Sequence, residues 1–237
     1  MAKNLKSKFK IDLKKYLKGK TIAFIDYANI KAWAREKNLA FDLEVLYQYL
    51  KNLGVEKIIF YYGTDPKNPR SHAFLTKMRQ IGFEVVTKEV KYYKINLLNL
   101  LKTHPNWEFL KQLNSDTQKL LFKEVKKLEK DGLRLYLPKA NFDVEMALDL
   151  LLFKNVFDIF VIFSGDSDLF AVVKFLKSKG KKVIIISGKK YLSGELASTA
   201  NQFIFLDELY YKIRGLFVTY KKPRPRKSGS GRKVIIL

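Results

Sequence analysis

Two apolar runs of the sequence end on polar and acidic side chains. In FIDYANI, residues 24–30, the apolar run stops at Asp26, and Asn29 comes three residues later. A second run opens the segment DIFVIFSGDSDLF, residues 158–170. Three polar side chains follow that run: Ser164, Asp166 and Asp168. Oxygen-only clusters of this kind select Mg²⁺ or Mn²⁺, and such an ion can activate water for attack on a phosphorus centre.

A helix predicted at 142–153 carries two further carboxylates. Asp143 lies in its first turn, where we expect it to point outward from the helix start, and Asp149 lies beside an apolar sector. The helix is apolar nearly all round, so we expect it to be largely buried. Because an isolated buried charge is very costly, Asp149 must then be paired or bind a metal ion.

Each of these residues has an ordinary structural explanation when taken alone. Asp166 or the neighbouring Ser167 can cap the helix that follows. Asp26 can be a turn residue, Asn29 a helix cap, and Asp143 a favourable charge at a helix N-terminus. Their joint occurrence at strand ends favours a shared metal site.

Apolar runs of strand length alternate with helical patterns along most of the chain. Strands are predicted at 21–26, 57–63, 83–89, 158–163, 181–187 and 202–206. Helices are predicted at 3–18, 42–53, 70–80, 142–153, 168–180, 193–200 and 207–213. This α/β alternation predicts a three-layer α/β/α sandwich with a mainly parallel central sheet. In such a sheet the carboxyl ends of all strands share one edge, so carboxylates distant in sequence meet at one rim.

The domain organisation follows from breaks in this alternation. We expect residues 1–20 to form a basic N-terminal helix, residues 21–213 the main domain, and residues 214–237 a basic, flexible tail. A lysine-rich helical insertion at 91–138 interrupts the main domain. The apolar end of the tail, VIIL, either adds to a sheet edge or has no part in the fold.

The charge balance predicts a polyanionic partner. The chain has 237 residues, with 46 Lys and Arg against 23 Asp and Glu, a net charge of +23. Residues 1–20 hold eight Lys and one Asp, and residues 221–237 hold seven Lys and Arg and no acid. Nucleic acid is the favoured partner; a membrane surface or plain basicity are the alternatives.

Several other site classes are excluded by the sequence. There are no cysteines, so neither disulfides nor thiolate metal sites can form. The chain has no G-x-x-x-x-G-K-[ST] loop, and no G-x-G-x-x-G follows the first strand. There is no apolar run long enough to span a bilayer and no signal-peptide pattern, which predicts a cytoplasmic protein without membrane partners.

Four segments in this order resemble the NYN domain (LabA-like) family, a branch of the PIN-like nucleases. They are FIDYANI, KANFDVEMALDLL, VIFSGDSDLFAVVKFLKSKGKKVIIIS and LASTANQFIFLDEL. The resemblance spans about residues 21–213, excluding 91–138. It implies a PIN-like (Rossmannoid) α/β/α fold and metal-dependent cleavage of RNA, generally endonucleolytic.

The resemblance also implies roles for individual residues. The family's acidic metal-binding positions match Asp26, Asp143, Asp166 and Asp168. Asn29 and Ser164 match its polar helper positions, and Asp149 matches a further acidic position of the helix. The chain departs from the family pattern at Asn201, where an Asp is often found, and in its insertion and basic tails.

The leading hypothesis is therefore a ribonuclease of the endonuclease type, which uses Mg²⁺ or Mn²⁺ and leaves a 5′-phosphate and a 3′-hydroxyl. Its partner would be single-stranded or structured RNA, and the prediction leaves room for a homodimer. Two other classes stay open. One is an RNA-binding or regulatory protein without turnover, and the other is a small-molecule phosphohydrolase.

Overall fold

The computed structural model describes residues 12–103, 108–213, 215–219 and 234–236. Their contacts divide them into two compact units. The first comprises the described residues of Met1–Glu89 and Asn141–Lys222, and the second comprises those of Val90–Ala140 and Pro223–Leu237. Within the described ranges, no helix is long and apolar enough to cross a membrane.

The first unit is a three-layer α/β/α sandwich, as the sequence predicts. Its strands are β1 (Thr21–Asp26), β2 (Leu39–Phe41), β3 (Val55–Thr64), β4 (Glu84–Glu89), β7 (Ile159–Phe163), β8 (Lys182–Ser187), β9 (Gln202–Phe205) and β10 (Phe217–Thr219). Its helices are α1 (Tyr27–Glu36), α2 (Leu43–Asn52), α3 (Pro69–Ile81), α7 (Asp143–Leu152), α8 (Phe170–Ser178), α9 (Gly194–Thr199) and α10 (Leu206–Lys212). A 3-10 turn, Ser167–Leu169, precedes α8.

Six strands form one parallel sheet in the order β4-β3-β1-β7-β8-β9. The middle parts of the central strands are apolar on both faces because helices cover both sides of the sheet. Residues Ile159–Phe163, for example, are completely buried. The chain runs outward from β1 in one direction through β3 and β4, and in the other through β7, β8 and β9. The sheet therefore has its topological switch point between β1 and β7.

Local signals set the ends of several helices. Asp42 caps α2 by accepting hydrogen bonds from the backbone N–H groups of Glu44 and Val45. The α3 helix ends at Gly82, whose φ of 115° is strained for residues with a side chain. Asn68 caps the start of α3 and Pro69 occupies its first turn.

The second unit contains a small sheet and three helices; the sequence predicted the helical part and left open that the end of the tail adds to a sheet edge. Its elements are α4 (Leu97–Thr103), α5 (Glu108–Lys111) and α6 (Ser115–Lys130), with strands β5 (Lys91–Ile95), β6 (Arg134–Lys139) and β11 (Val234–Ile236). β5 and β6 are antiparallel. β11 pairs in parallel with Arg134–Tyr136, so the apolar end of the tail does add to a sheet edge.

The prediction that α7 is largely buried was wrong. Val144, Leu148 and Leu152, which follow one another at four-residue spacing, are 69%, 61% and 69% exposed. Only the opposite face, with Met146 and Leu150, is buried. An apolar composition all round the helix does not show which face is covered; the sheet packs against one side only.

Other differences are additions to the predicted pattern. Helix α1 and the antiparallel pair β2–β10 were not predicted from the sequence. The helix predicted at 3–18 begins outside the described residues, and its described end contains a 3-10 turn at Leu13–Tyr16. The basic tail predicted at 214–237 also lies mostly outside them.

Candidate metal centre

Four of the five predicted acidic residues, all but Asp149, lie at the carboxyl edge of the sheet, around the switch point. Asp26 is the last residue of β1, and Ser164 directly follows β7, whose Phe163 pairs with Ile25 of β1. In open α/β sheets this crevice is where ligands bind. Parallel pairing of β1 with β7 thus brings together two chain segments that are far apart in sequence.

Asp166 and Asp168 are held by a tight turn between β7 and α8. Asp166 is the N-cap of the 3-10 turn, and its Oδ1 accepts a hydrogen bond from Asp168 N at 3.1 Å. The backbone N–H of Asp166 donates to Ser164 Oγ at 3.3 Å, and Ser164 is completely buried. Capping and a role in a metal site are therefore compatible, because the cap occupies one carboxylate oxygen.

Asp143 is the first residue of α7 and reaches the same place from another direction. Its backbone N–H donates to Asn141 Oδ1 at 3.1 Å, which anchors the start of the helix. Asn141 was not predicted as a site residue, although an Asn two residues before a helical Asp is a capping signal. Burial raises the pKa of Asp143, and the nearby charges of Asp166 and Asp168 raise it further.

Three carboxylates form the cluster proper: Asp143, Asp166 and Asp168. Each offers an oxygen, and these oxygens all lie within 4.8 Å of one another. In the described part of the chain no lysine or arginine forms an ion pair with any of them. Among the described residues the three carboxylates therefore have no ion-paired partner, and their all-oxygen donor set is the ligand type that Mg²⁺ or Mn²⁺ takes.

Asp26 lies beside this cluster and interacts with it electrostatically. Its Oδ1 accepts a hydrogen bond from Asn29 N at 3.2 Å, which caps α1. Burial raises the pKa of Asp26 to about 6, and the negative charges of Asp143 and Asp166 contribute to that rise. A carboxylate in this environment gains stability when a cation binds nearby.

Asn29 and Gly165 connect α1 with the turn after β7. Asn29 Oδ1 accepts a hydrogen bond from Gly165 N at 3.3 Å. A side chain at position 165 would collide with the backbone oxygen of Tyr191 and with Ser187 Oγ, so only glycine fits. The Asn29 side chain, predicted as a polar helper, therefore holds the turn that carries Asp166 through this hydrogen bond.

Asp149 lies apart from the three-carboxylate cluster, further along α7. Its Oδ2 accepts a hydrogen bond of 2.6 Å from the hydroxyl of Tyr61, a fully buried residue of β3. Burial and the neighbouring Asp149 raise the pKa of Tyr61, so this hydroxyl stays a donor. Asp149 was expected to be paired or to bind a metal, and Tyr61 is a partner that the sequence did not indicate.

A model of the NYN domain family matches residues 20–207. The chain belongs to the NYN domain family. The match includes every residue of the carboxylate cluster, together with Asp26 and Asn29. The NYN domain is a PIN-like nuclease family, which agrees with the resemblance found in the sequence.

Two known proteins are similar over most of this NYN-domain chain. The low amplitude and bright protein LabA of Synechococcus elongatus is 24% identical over 205 residues, which cover 85% of this chain and 89% of that protein. A crystal structure of a protein of unknown function from Vibrio parahaemolyticus has a TM-score of 0.54 at 19% identity. It covers 80% of this chain and 93% of its own, and it supports the fold.

Proposed function

We propose that this NYN-domain protein is a metal-dependent ribonuclease that hydrolyses phosphodiester bonds within RNA. The observation that supports the proposal is the carboxylate cluster at the switch point of the sheet, with which no lysine or arginine of the described residues forms an ion pair. An acidic centre on a chain with a net charge of +23 agrees with a nuclease that binds a polyanionic substrate. The basic residues attract the RNA backbone, and the carboxylates bind the cation that the reaction needs.

The residues of the centre have distinct roles in this proposal. Asp143, Asp166 and Asp168 would hold Mg²⁺ or Mn²⁺, and Asp26 would complete the site directly or through water. When bound, the ion supplies an activated water and stabilises charge on the scissile phosphate. Asn29 and Ser164 orient the turn that carries Asp166, through the hydrogen bonds to Gly165 N and Asp166 N.

The buried surroundings of Asp26 make it sensitive to this cation. Without a cation its negative charge is disfavoured, as its pKa of about 6 indicates. A cation at the cluster favours the ionised form, so metal binding and deprotonation of Asp26 are coupled. Asp149 takes the supporting role of fixing α7 to β3 through Tyr61, and we propose no direct metal contact for it.

The test is incubation of the purified chain with labelled structured and unstructured RNA in Mg²⁺, Mn²⁺ or EDTA. Asp143→Asn and Asp166→Asn are compared with Asp158→Asn, an exposed carboxylate just before β7, at the opposite edge of the sheet, which pairs with Lys181 at 3.5 Å. We expect the two cluster variants to lose cleavage by a factor on the order of 10² or more. Asp158→Asn should cleave like the wild type, and the products should carry 5′-phosphates.

The other results would each overturn the proposal in a different way. Cleavage that survives in both cluster variants would show a contaminating nuclease. Salt-dependent RNA binding without any cleavage would indicate the RNA-binding module instead. Turnover of nucleotides or sugar phosphates, with RNA left intact, would indicate a small-molecule phosphohydrolase.

A further inference from the structure

A pocket of about 320 Å³ opens at the carboxyl ends of β3 and β4. Strand residues Thr64 and Thr87 and helix α3 line it, and its ionisable lining residues are His72, Arg79, Lys88 and Glu89. Its volume is near the lower end of the range for ligand pockets, ~300–1,000 Å³. The pocket lies on the same edge of the sheet as the carboxylate cluster, because β3 and β4 run parallel to β1.

The donors that this pocket offers to a ligand come from its basic side chains. The Thr87 hydroxyl donates to the backbone oxygen of Tyr62 at 2.8 Å and also contacts the Thr64 hydroxyl. Both hydroxyl protons are therefore used within the protein. In the described part of the chain the Arg79 guanidinium has no ion-pair partner, so its N–H donors are available. Guanidinium groups of this kind bind phosphate through paired N–H donors.

Lys88 connects the pocket with the helix that carries Asp143. Its Nζ lies 2.6 Å from Glu145 Oε1, and Glu145 is two residues beyond Asp143 on α7. The same ammonium group lies 4.9 Å from the centre of the Phe142 ring. Lys88 thus lines the pocket with part of its length, while its ammonium group is held at the first turn of α7.

The distance along the sheet edge between this pocket and the carboxylate cluster matches the spacing of phosphates in a polynucleotide. The β3–β4 pair is two strand positions away from the β1–β7 pair, which at ~4.8 Å per strand is about 10 Å. That span equals about three nucleotides at the ~3.4 Å rise of a stacked strand. An RNA strand with one phosphate at the carboxylate cluster can therefore place another of its phosphates in this pocket.

We propose that this pocket is a phosphate-binding subsite for the RNA strand, in which Arg79 and His72 contact a phosphate a few nucleotides from the cleaved bond. This inference rests on the proposed ribonuclease function and adds the direction in which the substrate crosses the protein, from β7 toward β4. Glu89 opposes phosphate binding by charge repulsion, which limits affinity and favours release. The charge of Lys88 is balanced by Glu145, so the positive charge that faces the phosphate comes from Arg79.

The experiment measures binding of a short fluorescent single-stranded RNA by anisotropy in EDTA, at several salt concentrations. Arg79→Gln is compared with Lys77→Gln, which removes the same charge from the same helix. Lys77 is exposed and lies about 200° away around α3, outside the pocket. Arg79→Gln should weaken binding about tenfold and reduce the salt slope by about one. Lys77→Gln should change binding less than about twofold, and Glu89→Gln should strengthen it.

The outcomes separate this inference from the proposed function. Equal effects of Arg79→Gln and Lys77→Gln would overturn the subsite, because basic charge in general would then explain the binding. If the wild type cleaves RNA under that result, the ribonuclease proposal stands alone. A wild type that neither binds nor cleaves RNA would overturn both. Arg79 and Lys77 are exposed, so circular dichroism should show all these variants folded.

Discussion

Replacing Asp26 with asparagine should stabilise the metal-free protein near neutral pH, although it removes a residue of the proposed centre. Burial and two neighbouring carboxylates raise the pKa of Asp26 from 3.8 to about 6. The folded state therefore disfavours the charge that Asp26 carries above that pH. Asparagine has the same shape, and its amide oxygen can still accept the hydrogen bond from Asn29 N that caps α1.

The sign and size of the effect follow from proton linkage. Near pH 4 Asp26 is protonated in the folded state and about half protonated in the unfolded state, and at lower pH it is protonated in both, so its substitution changes the free energy of unfolding little. As the pH rises through about 6, the wild type loses the stability associated with the protonated, folded form. The difference between a pKa of 3.8 in the unfolded state and about 6 in the folded state, at ~1.36 kcal/mol per pH unit, corresponds to about 3 kcal/mol. This is the gain expected for Asp26→Asn at about pH 8 in EDTA.

The assay is urea unfolding in EDTA at about pH 4 and about pH 8. Asp42→Asn is the matched control, because Asp42 also caps a helix through backbone N–H groups but lies outside the centre. Adding Mn²⁺ should then stabilise the wild type more than Asp26→Asn, since the ion binds to the folded state. A gain that is equal at both pH values, or a loss at about pH 8, would refute the linkage of Asp26 to the cluster.

Three further predictions concern the framework of the site. Tyr61→Phe should lower the free energy of unfolding by about 1.5–3 kcal/mol, because it leaves the carboxylate of Asp149 without its hydrogen-bond donor. Tyr62→Phe, the control, should change that free energy by less than ~0.5 kcal/mol in the same urea titration. Leu150→Ala should cost about 2–5 kcal/mol by the same measurement, whereas Leu148→Ala, on the exposed face of α7, should cost less than ~0.5 kcal/mol. Gly165→Ala should displace the turn after β7 and lower the free energy of unfolding by about 1–3 kcal/mol. It should also reduce the rise in Tm that Mn²⁺ produces. An unchanged rise would show that the turn tolerates a side chain.

Much of the sheet could be predicted from the sequence because its signals are local. An apolar run such as Ile159–Phe163 cannot be exposed to water, and its length suits a strand rather than a helix. Strand and helix alternation then implies a parallel sheet, and a parallel sheet implies one common edge for Asp26 and Asp166. The prediction that these carboxylates lie near one another needed no knowledge of long-range contacts beyond this rule.

No clear sequence pattern marked a short, half-exposed strand or a helix that directly follows a strand. In β5, KYYKI, the alternation of apolar and polar residues is too weak to distinguish the strand from the lysine-rich segment around it. This segment is a strand because β6 pairs with it. The α1 helix begins directly at the end of β1, so the apolar run and the helix share a boundary without an intervening loop. In both cases the partner element decides the conformation.

The sequence by itself determined the layered fold, the order of its acidic residues and the excess of positive charge, since these depend on residue type and short-range period. Only the tertiary structure decided which oxygens meet. Asp143, Asp166 and Asp168 converge because α7 starts where the turn after β7 lies, whereas Asp149, on the same helix, is bonded to Tyr61. The exposed face of α7 and the pocket beside Arg79 were likewise decided by packing, because a pattern along one element does not record what covers it.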